Sequence, residues 1–392
     1  MFGIAVDDRF DGDPTTKCCR GEVRLQGQHI DLRQDVAWQP IGIRRGVHGP
    51  SVCRPIAWLD VSDRAVPETH FDVVGIGNAL VDVIAHADDE FLERLNLVKG
   101  SMTLVDTDRA LEIYRALGSA IEMSGGSAAN TMVGVSALGG RAAYVGKVGN
   151  DDLGVVFAHD MRAVGVRFSA NAASTMSTTP TGRCIIVVTP DAERTMNTFL
   201  GISSELDPSD VDVELVASGK VLYMEGYLFD LPPAKAAFRF AAQAAHDHGR
   251  MVSLTLSDSF CVDRHRDDFR ALVRDQVDIL FGNESEIVSL YQVETLDKAL
   301  DVLRGECQLA VVTVGAEGCV IVTSDGLERV PAQPVAAVLD TTGAGDLFAA
   351  GFLYGYTRGM AHTESARIAA IAAAEVISHV GPRPLIDLRT LI

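Results

Sequence analysis

Positive charge is scarce: 34 Lys and Arg stand against 53 Asp and Glu, for a formal net charge of −19. So acidic a surface repels phosphodiester backbones and anionic headgroups, which excludes nucleic acid and membrane as expected partners. It also means that any bound phosphate has to be held by local donors rather than by a global field. Long apolar runs are missing as well. The Ala-rich 366–377 stretch is cut by Arg367 and Glu375 and falls short of the roughly 20 apolar residues a membrane helix needs, so it reads as a buried helix. The opening MFGIAVDDRF has no basic segment followed by an apolar one, so no secretory signal is expected. A disulfide framework is absent too: the seven cysteines are odd in number and irregularly spaced, which fits reduced thiols and a cytoplasmic location.

Several catalytic signatures are also lacking. Gly146-Lys147 has no upstream glycine and runs into Val148, which excludes a phosphate-binding P-loop. GIGNAL at 75–80 carries only the first two glycines of the dinucleotide fingerprint, which argues against a nicotinamide dehydrogenase. There is no HExxH and no paired Cys-x-x-Cys, and the ten histidines are scattered. His246 and His248 read as surface or cap residues near a helix end.

What is present is an ordinary globular composition, 47% hydrophobic and 22% charged over 392 residues, able to bury a sizeable core. Residues 1–70 stand apart: they hold Trp38, Trp58, the Cys18-Cys19 pair and five prolines, with no sustained period of 2 or 3.6. They read as a poorly ordered extension, the rival being a small appendage docked through its tryptophans. From Phe71 onward the text is regular. FDVVGIG, AAYVGKV, CIIVV, VLYME, MVSLTL, DILFG, LAVVTV and CVIVT have strand length. Helical stretches fall at 128–138, 153–163, 232–247, 284–290, 295–304, 344–358 and 363–378. Continuous Val/Ile/Leu strands alternating with helices mean strands buried on both faces, hence a mostly parallel α/β sheet with helices on both sides. The rhythm breaks at about 83–124 and 170–202, where polar strand text points to a small β lid.

Five stretches carry chemistry. In DTTGAGD (340–346), capping residues and glycines precede an apolar helix, a natural anion site at a helix N-terminus, yet Asp346 stands beside it. A carboxylate there hinders simple anion binding but suits a reaction that needs a base next to a phosphate. In SGGSAAN (124–130), two glycines open a helix and allow backbone to lie flat against a ring, with Asn130 one turn in. Asn78 and Asp82 follow the first strand, and a carboxylate can accept from two neighbouring hydroxyls, as on a furanose diol. Asn283-Glu-Ser-Glu286 makes a capping box and equally offers Glu286 to Mg²⁺-bound water. Thr313-Val-Gly315-Ala-Glu-Gly318 reads either as a plain hairpin or as a backbone cradle for ATP.

Together GGSAANTMVGVSALGG…GKVGNDDLG and DTTGAGDLFAAGF resemble the two signatures of the ribokinase-like (PfkB) small-molecule kinases, in the right order and with the NxxE and TxGxxG elements between them. The resemblance covers 71–392 and leaves 1–70 outside. GNALVD, MSGGSAAN and AERTMNTFLG are most similar to the adenosine-phosphorylating branch. The resemblance implies ATP, Mg²⁺ and K⁺ as cofactors and a nucleoside or sugar as partner, in a monomer or homodimer. It implies Asp346 as the base, with the N–H groups of Gly343, Ala344 and Gly345 as the anion hole and Arg194 as a lid arginine over the phosphates. Asn78, Asp82, Gly125, Gly126, Ser127 and Asn130 would bind the ribose. Asn283, Thr313, Gly315, Gly318 and Thr342 would meet ATP, with Glu286 and Asp340 serving the cations. The implied reaction is transfer to a nucleoside 5′-hydroxyl, adenosine to AMP, the alternatives being ribose, fructose, inosine or guanosine. An acceptor already bearing phosphate would call for more basic residues near 78–130 than Arg94, Lys99, Arg109 and Arg115, none of which lies in a motif.

Overall fold

The computed structural model describes residues 68–168, 177–191 and 193–392 together with two short antiparallel strands, β1 (Arg24–Leu25) and β2 (Gln28–His29). Apart from these strands and residues 68–70, the expected N-terminal extension, with Trp38 and Trp58, lies outside the described residues. Arg64–Ile392 form one compact unit.

Its elements, in chain order, begin with β3 (Phe71–Ile76), β4 (Leu80–His86), α1 (Asp89–Arg94), β5 (Met102–Leu104), α2 (Thr107–Ala116), β6 (Ala120–Gly125) and α3 (Ser127–Ala137). There follow β7 (Ala142–Val145), α4 (Asp152–Ala163), β8 (Arg167–Phe168), β9 (Gly182–Val188), β10 (Arg194–Phe199), α5 (Val213–Ala217), β11 (Gly219–Glu225), α6 (Pro232–Asp247) and β12 (Met251–Thr255). The chain continues through α7 (Ser259–Gln276), β13 (Ile279–Asn283), α8 (Glu284–Tyr291), α9 (Leu296–Glu306), β14 (Leu309–Thr313), β15 (Cys319–Thr323), β16 (Gly326–Val330), α10 (Ala344–Tyr356) and α11 (His362–Val376).

The body is a nine-stranded sheet in the order β16-β15-β14-β13-β12-β11-β3-β7-β8, in which only β15 runs against the rest, pairing antiparallel with both β14 and β16. Alternation along its strands feeds two cores. Val73, Val221, Tyr223, Ile279 and Val311 face one side with α3, α10 and α11, whereas Val74, Leu222, Met224, Leu254 and Val312 face the other with α6–α9. Both faces are covered by helices, which is why the strands read as unbroken apolar runs. After β3 the chain steps one way through β7 and β8, and from β11 to β14 it steps the other way. The C-terminal ends of β3 and β11 therefore flank a topological switch, where open α/β sheets hold their ligands.

The lid is a second, five-stranded sheet in the order β5-β10-β9-β4-β6. Val81, Val83, Ile185 and Val187 on its outer face pack into the core with Phe91 and Leu92 of α1 and Ile113 of α2. The register lines up Asp82, Cys184 and Thr198 on the opposite face, then Ile84, Ile186 and Met196, then Val188 and Arg194. Ile84, Cys184, Ile186, Val188 and Met196 form a separate small apolar cluster there.

Four helices fall where the sequence pattern gives no helix, the five-residue α5 among them. α7 is crowded with charge (RHRDDFR) and bends at His265, and only Cys261, Val262, Phe269, Leu272 and Val273 are buried, too thin an apolar stripe to announce itself. α1 and α2 interrupt the lid text and are capped by Asp88 and Asp106. Among the described residues no helix is long and apolar enough to cross a membrane, and Cys184, Cys261, Cys307 and Cys319 are free and buried.

Candidate active site

Asp346 lies in the first turn of α10, which starts at Gly343 with φ +80°, a left-handed conformation where a side chain would also strike Pro382. Its Oδ1 accepts from Ser127 Oγ at 2.6 Å and its Oδ2 from Asn130 Nδ2 at 3.1 Å, so α3 and α10 meet at this carboxylate. Burial pushes the carboxyl up to about 6 against the pull of these two hydrogen bonds. That value suits a base working near neutral pH.

The turn before Asp346 is stapled. Asp340 Oδ1 accepts from the Thr342 N–H at 3.0 Å, and Oδ2 accepts from the Gly381 N–H at 2.8 Å and from Arg194 of the lid. Burial raises the Asp340 carboxyl, but the Gly381 and Thr342 donors and the Arg194 charge outweigh it and hold the group below its ordinary value. Arg194 Nη1 also donates to Thr342 Oγ1 at 3.0 Å, so β10 of the second sheet is tied to the turn before α10. Of the three N–H groups expected to form an anion hole, that of Ala344 donates to the Thr341 carbonyl at 3.1 Å. Among the described residues the Gly343 and Gly345 N–H groups have no protein acceptor and remain as donors.

The residues expected to meet the acceptor come from β4 of the second sheet and from the start of α3. No donor among the described residues reaches the Asp82 side chain, leaving its oxygens for hydroxyls. Burial drives its carboxyl up to about 6, with Arg383 and Arg194 opposing and Asp346 adding to the rise. Gly125 is required here because a side chain would run into the Asp82 carboxylate. Gly126, at φ +96°, brings the start of α3 against the Asn78 carbonyl. Asn78 itself differs from its expected role as a ribose contact. Its Nδ2 donates to Glu225 Oε1 at 2.9 Å and its Oδ1 accepts from Ser203 Oγ at 3.0 Å, so the amide braces the crossing between body and lid. Glu225 also accepts from the Ala128 N–H at 2.8 Å, and burial pushes it up to about 7.

At the neighbouring strand ends, Asn283 and Thr313 are paired in register at the C-terminal edge of the sheet. Asn283 and Glu286 make the capping box that the sequence pattern allows. Glu286 accepts from the Asn283 N–H at 2.9 Å and from Nδ2 at 2.6 Å, and burial lifts it to about 7. Thr313–Gly318 is the hairpin between β14 and β15, closed by the Val314 N–H donating to the Gly318 carbonyl at 2.8 Å, with Gly315 at φ +54° and Gly318 at φ +102°. No cluster of three or more His, Cys, Asp or Glu able to hold a metal occurs among the described residues. Mg²⁺ needs no such cluster, since it keeps waters and binds through nucleotide phosphates. K⁺ at Asp340 fits poorly, because Arg194 and two N–H groups already fill that carboxylate.

Glu225, Ser203 and Arg383 join the site without being foreseen. Only Glu225 left a signal, as a carboxylate closing the apolar strand VLYME at the ligand edge. Arg94, Lys99, Arg109 and Arg115 carry no motif, and Lys99 and Arg109 pair with Asp89, Asp191 and Glu112 instead.

The pfkB family carbohydrate kinase pattern matches residues 96–388. The crystal structure of adenosine kinase from Sinorhizobium meliloti is 51% identical with a TM-score of 0.76, covering 82% of this chain and 98% of that one. That of a probable sugar kinase from Rhizobium etli CFN 42 is 47% identical, with the same TM-score and coverage. The adenosine kinase of Saccharomyces cerevisiae is 29% identical over 332 residues, 79% of this chain and 96% of its own length. With a family match over 96–388, most of its length, this chain belongs to the pfkB family of carbohydrate kinases.

Proposed function

We propose that this kinase transfers the γ-phosphoryl group of ATP to the 5′-hydroxyl of a nucleoside, adenosine to AMP being the leading reaction. The observation that carries the reading is the position of Asp82: an unpartnered carboxylate on the inner lid face, in line with Cys184 and next to the apolar row Ile84, Ile186 and Met196. Such a wall suits a neutral acceptor with a diol at one end and a flat apolar ring at the other. Burial pushes the Cys184 thiol up to about 12, so it stays neutral and adds to the apolar surface. A cavity of about 280 Å³ between Leu104, Thr198, Leu200 and Ser204 continues along the edge of the lid. The adenosine kinases of S. meliloti and S. cerevisiae support the same acceptor.

Asp346 takes the proton of the 5′-hydroxyl, whose oxygen then bonds to the γ-phosphorus as the bond to the β–γ bridging oxygen breaks and ADP leaves. The Gly343 and Gly345 N–H groups and the start of α10 stabilise the charge on the transferring group. Arg194 has Asp340 and Thr342 as partners on the loop and covers the phosphates from the lid. Thr342, Asn283, Thr313, Gly315 and Gly318 lie along the nucleotide side, and Mg²⁺ bound with the nucleotide neutralises phosphate charge. The lid keeps water from competing as acceptor.

The second reading is a kinase of ribose, fructose, inosine or guanosine, favoured by the likeness to the probable sugar kinase. A coupled ADP-release screen over nucleosides, ribose and fructose with Mg-ATP decides between them. Adenosine is expected to give the highest kcat/KM, and a higher value for ribose or fructose would overturn the nucleoside reading.

A further inference from the structure

Arg383 reaches the acceptor wall from the segment after α11, far from either kinase signature. Two neighbours fix its backbone: the Gly381 N–H donates to Asp340 at 2.8 Å, and Pro382 packs against Gly343. Arg383 Nε donates to Asn130 Oδ1 at 3.4 Å, while Nη2 is buried with no hydrogen-bond partner. The guanidinium charge acts on Asp82 and on Asp160, whose Oδ2 accepts from the Ser124 N–H at 2.9 Å.

The contact with Asn130 sets the orientation of that amide. With Oδ1 turned toward Arg383, Nδ2 faces the Asp346 carboxylate, and the flipped amide would set oxygen against oxygen. The unsatisfied Nη2 is the second observation. A buried donor left unpaired is costly, and such groups occur where a ligand completes the bond. The charge of Arg383 acts on Asp82, the carboxylate left open on the same wall.

We propose that Arg383 determines which acceptor is taken. Its Nη2 donates to the oxygen of the same sugar hydroxyl whose proton goes to Asp82, while its Nε positions Asn130 beneath the base. A hydroxyl held this way uses its donor and its acceptor capacity at once. The site thus selects a neutral polyol ring with a hydroxyl between a carboxylate and a guanidinium. This inference rests on the kinase reading above.

The test is steady-state kinetics of the full chain with adenosine and Mg-ATP for wild type, Arg383→Gln and Arg383→Lys. Arg383→Gln is expected to raise the KM for adenosine by about tenfold or more, while the KM for ATP stays within about twofold because the nucleotide side is untouched. The charged groups facing Asp82 are Arg383 from the C-terminal segment, Arg194 from β10 and Asp346 from α10, with the neutral Cys184 thiol beside it on β9. Losing one of the two cations raises the Asp82 carboxyl, so the acid limb of kcat/KM for adenosine should move up by roughly one pH unit. Arg383→Lys keeps the charge and should keep that limb, which preserves the test if the glutamine variant folds poorly. Whichever of 2′-deoxy- and 3′-deoxyadenosine lacks the shared hydroxyl should lose less on Arg383→Gln than adenosine does. Equal rises in both KM values with an unmoved acid limb would reduce Arg383 to a strut and overturn the proposal. A wild type that turns over a sugar but no nucleoside sinks the nucleoside reading alone, and the same comparisons are then made with that sugar.

Discussion

The two sheets of this kinase spend their faces differently. The nine-stranded body is covered on both sides, so that Val73 and Val74, or Leu222 and Tyr223, each have a core to enter. The five-stranded lid gives only its outer face to the core and keeps the inner one for Asp82, Ile84, Cys184, Met196 and Arg194. The body contributes chemistry only at its edges, through strand ends and the first turn of α10. The lid contributes it through the middle of a sheet. On the proposed function, the scaffold buried on both faces fixes the base and the phosphate loop, and the lid's inner face, with its separate small apolar cluster, shapes the acceptor pocket. If this division holds, substitutions on the body side should change turnover and those on the lid face should change which acceptor binds.

The largest effect is expected at the body's edge. Asp346→Asn should lower kcat by about 10²–10⁴-fold while leaving adenosine binding by calorimetry close to wild type. It should also raise the melting temperature at pH 7.5. The folded carboxyl sits at about 6 rather than 3.8, so the ionised form is disfavoured by folding. Stability then falls as pH rises from about 4 through 6, and removing the charge restores it. A variant both slower and less stable would break the link between burial and catalysis.

Next in size is Asp82→Ala, on the lid. It should raise the KM for adenosine by roughly 10–100-fold, the loss expected for hydrogen bonds to a charged group, with a smaller change in kcat. Deoxyadenosines should be discriminated against less than in the wild type, and an unchanged preference for the diol would remove Asp82 from the acceptor wall.

Arg194→Gln tests the bridge between the sheets. Its bonds to Asp340 and Thr342 are buried lid-to-body contacts, so the KM for ATP should rise and kcat fall, each by up to about tenfold, and the melting temperature should drop because Asp340 loses its buried charge partner. The smallest effect is expected from removing residues 1–66. The elements described around the site lie within 71–392, and kcat should stay within about twofold. A large loss would give the N-terminal segment a part in the site.

The same division explains what the sequence made legible. The body strands were readable because burial on both faces leaves continuous Val/Ile/Leu text, and the helices around them kept a clear apolar stripe. α7 did not, since a half-exposed helix rich in Asp and Arg can bury five side chains and still read as polar. In the site, Asp346, Ser127, Asn130 and Asp82 stand in contiguous motifs whose glycines announce close backbone approach. Asn78 stands in such a motif too, yet the chemistry of an amide cannot tell a substrate contact from a brace; that required Glu225 and Ser203, 147 and 125 residues away. Arg383 is 253 residues from Asn130, and nothing local to GPRP marks it. Function carried by one side chain crossing a fold leaves no periodic trace.

The proposed base, Asp346, is a buried carboxylate on the body that takes the acceptor's proton. The most direct measurement is the single-turnover rate of phosphoryl transfer from pH 4.5 to 8.5, with adenosine and Mg-ATP saturating, in wild type and Asp82→Ala. A base must be ionised to act, and burial places this one at about 6. The rate should therefore be level above pH 7 and fall about tenfold per unit well below 6, with an equal or lower midpoint in Asp82→Ala, where the neighbouring like charge is gone. A wild-type rate that stays level from pH 8 to 5 would contradict the assignment of Asp346 as the base.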